Sequence, residues 1–66
     1  MHPATEQLLQ HFAYGHLPEW LREVSEPFHA LANLIAVTAP ESAETTVGLR
    51  KLLEAKDCIV RAHVAK

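Results

Sequence analysis

Residues 40–66 read PESAETTVGLRKLLEAKDCIVRAHVAK, and their spacing decides the fold. Leu49, Leu52, Leu53, Ile59 and Val60, with Ala55 and Ala62 between them, recur at helical period and make one apolar stripe. Glu41 and Glu44 stand in the first turn and Arg61 and Lys66 toward the end, where each sign complements the helix dipole. Arg50 with Glu54 and Asp57 with Arg61 are four apart and support the helix modestly as exposed pairs. Thr38-Ala39-Pro40-Glu41 fits a capping box, with Ser42 as a competing cap, so a long helix is expected over 41–64.

Upstream, Leu17, Trp20, Leu21, Val24, Phe28, Leu31 and Ile35 recur at intervals of three or four, the pattern of one buried helical face. A first main helix is therefore expected over 18–37. Pro27 falls inside it, removing a backbone donor and crowding the carbonyl one turn back, so a kink or break is expected there, with Ser25 available to cap a restarted helix. Pro40 restricts the residue before it and ends the helix near 37–39. The short connection makes the two long helices antiparallel neighbours, a helical hairpin. Residues 1–16 add a short helix begun by Pro3, with Leu8, Leu9 and Phe12 ready to dock, and then the turn HFAYGHLPEW. Gly15 in that turn permits backbone angles closed to other residues.

Sixty-six residues make one small all-α domain, 1–66, whose core is modest. Cys58 is alone, so no internal disulfide and no structural zinc site supplies a staple, and self-association is the expected source of stability. Two antiparallel helices enclose no closed core, so the stripe of the second helix is expected to pack against copies of itself, with Gly48, Ala43, Ala55 and Ala62 letting backbones approach. Lys56 falls among the apolar positions, either as a stem packed along the core with its ammonium in water or as a cation at the rim of an interface. A net charge of −2 argues against coating DNA or RNA. With neither a basic-then-apolar leader nor a bilayer-length apolar run, a cytoplasmic protein without membrane contact is expected.

Two segments resemble the small bacteriophage proteins of the anti-CBASS and anti-Thoeris helical-hairpin family, which are cyclic-nucleotide sponges. One is Phe12-Ala13-Tyr14, then Pro18 and a helix ending in Leu31-Ala32-Asn33-Leu34-Ile35. The other is Pro40-Glu41-Ser42-Ala43-Glu44-Thr45, continuing through Leu49-Arg50-Lys51-Leu52-Leu53-Glu54-Ala55. The resemblance covers about residues 12–61. It implies a homo-oligomer of hairpins, a hexamer, that binds cyclic di- or trinucleotides or cyclic ADP-ribose isomers and withholds them from bacterial defence effectors. No catalysis and no cofactor are implied. Tyr14 matches the family's base-stacking tyrosine. His29 stands where the family has a phosphate-facing lysine, and a histidine carries less charge at pH 7. Ala43 stands where an arginine is frequent, leaving Arg50 to compensate. Thr45 and Thr46 offer hydroxyl donors near the positive end of the second helix. Together Tyr14, His29, Thr45, Thr46 and Arg50 are the candidate ligand-binding residues, the two walls coming from one subunit or from two.

The residues themselves also admit plainer roles. Tyr14 fits a core aromatic with a wet hydroxyl, and Trp20 fits packing. His11 and His16, five apart across Gly15, do not share the helical face a metal pair needs. Cys58 has no histidine near it in sequence, and the carboxylates form no evident acid–base couple, so an enzyme is not expected. The alternative from another class is a helical oligomer that presents a groove to a partner protein.

Overall fold

The computed structural model describes residues 3–65, and every regular element among them is helical. Helix α1 spans Pro3–Gln10, α2 Glu19–Thr38 and α3 Ala43–Ala65. The two long helices pack along each other and α1 lies against both. The core is a cluster of Leu8, Phe12, Ala32 and Leu49, flanked by Leu9, Phe28, Ile35, Leu52 and Leu53. Phe12, Ala32 and Leu49 are wholly inaccessible to solvent. Burial of a side chain the size of Phe12 or Leu49 contributes about 1.5–3 kcal/mol, so α1 and the residues just after it are part of the fold.

Each helix boundary has a local cause. Pro3 opens α1 where its missing amide is no loss. After Gln10 the chain winds on, with the amides of His11, Phe12 and Ala13 donating to the carbonyls three residues back. That extra turn carries Phe12 into the core. Leu17 N–H then donates to Tyr14 O at 3.1 Å and closes the turn before α2. No glycine among the described residues has a positive φ, so Gly15 does not use the freedom expected of it. Helix α2 starts on the carbonyl of Pro18, which accepts from both Leu21 and Arg22 at 2.9 Å. It ends where Ala39, before Pro40, is extended, its amide still donating to Ile35 O at 2.8 Å.

Three expectations from the sequence need correction. Of the kink or break expected at Pro27 the break does not form, since α2 runs on through it, and no helix restarts there for Ser25 to cap. The capping box at Thr38 does not form, because the Thr38 hydroxyl donates back to Leu34 O at 2.7 Å. Ser42 is the cap instead. Its Oγ accepts from Thr45 N–H and its carbonyl from Thr46 N–H, both at 3.2 Å, so α3 begins at Ala43. Thirdly, α2 does not present one apolar face. Leu21, Ser25, Phe28, Ala32 and Ile35 form the stripe turned inward, whereas Trp20, Leu31 and Leu34, one position earlier in each case, are 49%, 44% and 58% exposed. Merging the two stripes made Trp20 and Leu31 look buried.

Lys56 does not leave its ammonium to water. Only 12% of its side chain is accessible, and Nζ donates to His11 O at 2.9 Å while standing 3.3 Å from an Asp57 carboxylate oxygen. The ammonium thus ties the end of α1 to α3. Asp57 faces Lys56, and Arg61 points its guanidinium at Cys58 Sγ, 3.4 Å away, so the expected Asp57–Arg61 pair is not formed. Lys56→Met keeps the stem and removes the tie, at a cost of about 1 kcal/mol for a partly solvated charged hydrogen bond. Amide hydrogen exchange should accelerate in α1 while amides in the middle of α3 stay protected; uniform acceleration would contradict a local tether.

Ser25 is 1% exposed and its Oγ has no hydrogen-bond partner. A buried unpaired hydroxyl costs about 1–3 kcal/mol, and alanine is also the better helix former. Ser25→Ala should therefore gain about 1 kcal/mol, a rise in Tm of roughly 4–8 °C for a domain this small at fixed protein concentration. A lowered Tm would mean that the hydroxyl does find a partner.

Candidate functional site

The five candidate residues fall into two groups. Tyr14, in the turn between α1 and α2, meets His29 of α2 edge-on, with ring centroids 4.9 Å apart and planes at 70°. Both side chains are half-buried. Aromatic rings at this separation favour the edge-to-face arrangement. Asn33 completes the group. Its Nδ2 donates to His29 O at 2.8 Å and stands 3.3 Å from His29 Nε2, so one amide holds both the backbone and the ring of His29. Where Nε2 accepts, the neutral ring carries its proton on Nδ1. Asn33 was not singled out from the sequence. The signal was its spacing of four from His29, which puts the two on one helical face.

The second group surrounds the start of α3. A cavity of about 580 Å³ lies there, lined by Thr45, Thr46 and Arg50 together with Thr5 of α1, Ala36 of α2 and Pro40 of the connection. Its size suits a small molecule. Arg50 is exposed and brings a guanidinium to the wall, and Glu41 brings a carboxylate to the same wall. The threonines are less available than their position suggests. Thr45 Oγ1 donates to Pro40 O at 2.6 Å and lies 3.2 Å from Ser42 Oγ, and Thr46 Oγ1 donates to Ser42 O at 3.3 Å. With their protons committed to the cap, these hydroxyls retain lone pairs and can accept, but they cannot donate to a phosphate without giving up those bonds. The expectation of two free hydroxyl donors is corrected accordingly.

Neither Tyr14 nor His29 lines the cavity. His29 and Ala36 are seven residues apart on α2, about 10 Å along the axis, so the two groups are separate within one chain. Thr5, more than nine-tenths buried, and Ala4 are lining residues that the sequence did not suggest, since nothing in a short N-terminal helix says where it docks.

Among the described residues no group of three or more histidine, cysteine, aspartate or glutamate side chains could hold a metal ion, and no helix is long and apolar enough to cross a membrane. Comparison with protein-family models, with curated proteins and with solved structures returned no match.

The cavity wall depends on the Ser42 cap. Ser42→Ala should cost about 1 kcal/mol, whereas Thr38→Ala, which removes only a back-bond within α2, should cost less than half of that. Denaturant unfolding of the two variants compares them directly; equal losses would return the cap to Thr38.

Proposed function

We propose that the chain is a phage immune-evasion sponge, which binds cyclic nucleotide second messengers in the cytoplasm of an infected bacterium and keeps them from their effectors without catalysis. In this reading α2 and α3 form an antiparallel hairpin, and hairpins assemble into a homo-oligomer, a hexamer by resemblance to the family. The observation that carries it is the meeting of Tyr14 and His29. These are the family's stacking position and its phosphate-facing position, fifteen residues apart in sequence, and their rings are in contact. A cyclic dinucleotide or cyclic ADP-ribose isomer is a compact anion with flat faces, so it needs an aromatic platform beside a positive or hydrogen-bonding group. Tyr14 supplies the platform and His29, held by Asn33, the hydrogen-bonding group.

Arg50 belongs to the second group, about 10 Å away along α2. Within an oligomer the Arg50 wall of one subunit can complete the Tyr14–His29 wall of another, which gives the assembly a role in binding. The cavity beside Arg50 is large enough for part of such a ligand. A helical module that binds a partner protein is the competing reading, favoured by the exposure of Trp20 and Leu34.

Isothermal titration calorimetry against cyclic di- and trinucleotides and cyclic ADP-ribose isomers tests the proposal. Binding by the parent is expected, weakened at least tenfold by Tyr14→Ala and nearly unchanged by Tyr14→Phe, which keeps the stacking face. His29→Lys restores the family's cation and should tighten phosphate binding. Absence of heat for every ligand sinks the sponge reading in favour of the partner-binding one.

A further inference from the structure

Resting on the nucleotide-binding reading, we infer that Asn33 is the positioning residue of the Tyr14–His29 pair. It holds the His29 imidazole with Nε2 as acceptor, so that the ring meets a ligand as an uncharged Nδ1–H donor. Asn33 stands four residues after His29 on α2, and its Nδ2 reaches back to two atoms of that residue. The first is His29 O, at 2.8 Å. A carbonyl oxygen only accepts, so the amide turns its nitrogen toward it and not its Oδ1. The backbone thereby decides which way the side-chain amide faces. The same nitrogen stands 3.3 Å from His29 Nε2. An amide nitrogen carries two hydrogens and accepts nothing, so one hydrogen goes to each atom and Nε2 offers its lone pair. In a neutral imidazole the ring proton is then on Nδ1.

The orientation of the ring follows from the same contacts. A ring turned over about its Cβ–Cγ bond would put a carbon where Nε2 stands and leave the second amide hydrogen without an acceptor. Tyr14 restricts that rotation too, its ring centroid 4.9 Å from that of His29 and its plane at 70°. Tyr14, His29 and Asn33 are all half-buried, so the contacts are shielded in part from competing water. The chemistry differs from that of a lysine at the same position. An ammonium attracts any anion over a distance and is screened by salt. A fixed neutral N–H recognises one acceptor atom at contact, and screening leaves it almost untouched. The ligand feature it fits is an oxygen of a phosphodiester lying beside the base that stacks on Tyr14. Asn33 thus makes the wall selective for the place of an acceptor, where a cation would select for charge.

Nitrogen NMR of the full chain at about pH 8, above the ordinary imidazole range, reads the tautomer with no ligand present. In the parent, His29 should show a protonated Nδ1 and an unprotonated Nε2. Asn33→Leu removes both amide hydrogens and puts a better helix former in place, so helicity by circular dichroism should hold or rise while the tautomer preference is lost. Calorimetry with cyclic dinucleotides then measures the use of the donor. Affinity should fall at least about fivefold in Asn33→Leu, the worth of one hydrogen bond. Added salt should weaken binding by His29→Lys more than binding by the parent. A protonated Nε2 in the parent, or the same tautomer in parent and Asn33→Leu, would overturn the inference. So would a changed tautomer in Asn33→Leu with affinity intact. Absence of heat for every nucleotide would sink the sponge reading, whereas the tautomers of parent and variant still decide whether Asn33 positions His29.

Discussion

The structure depends on one point of contact among three parts of the chain. Phe12, Ala32 and Leu49, none of them accessible to solvent, belong to the turn after α1, to α2 and to α3. Alanine at 32 keeps that position of α2 small, and the phenylalanine occupies the shared core with Leu8 beside it. Because Phe12 is the largest fully buried side chain, the position of the N-terminal segment is set by packing. The Lys56 bond to His11 O then holds the chain next to that ring. Tyr14 follows two residues after Phe12, so the placement that makes the core also carries the tyrosine to His29.

Helical class, the three helices and their order were legible from period and punctuation alone, because proline and serine act locally. Pro18, Pro40 and Ser42 each determine a boundary through a backbone restriction or a single hydrogen bond. What period could not separate was the pair of stripes on α2. Trp20 and Leu21, or Leu31 and Ala32, are neighbours in sequence about 100° apart on the helix, and a count at intervals of three or four accepts either. Only packing decides, and it chose the stripe that includes the small residues Ser25 and Ala32. Trp20, Leu31 and Leu34 were left outside, while Leu21, Phe28 and Ile35 went in beside the two small residues.

The candidate site was legible to a different degree. Tyr14 and His29 were chosen separately by resemblance and turn out to touch, which spacing could not have shown across a turn containing Gly15 and Pro18. Thr45 and Thr46 were chosen for their place at a helix start. Their hydroxyls serve that start instead, because a threonine in the first turn has backbone carbonyls within reach and satisfies them before any ligand arrives. Sequence position near a dipole end therefore overstates the donors on offer.

The same economy of size links packing to function. Among the described residues five apolar ones are buried, while seven large ones remain exposed, so little of the available hydrophobic surface is used within a single copy. A chain of 66 residues buries a low fraction of its own surface, which is the physical reason the proposed function includes association. Under the proposed function, association brings the Arg50 wall of one copy to the Tyr14–His29 wall of another, so that assembly and ligand recognition share one surface.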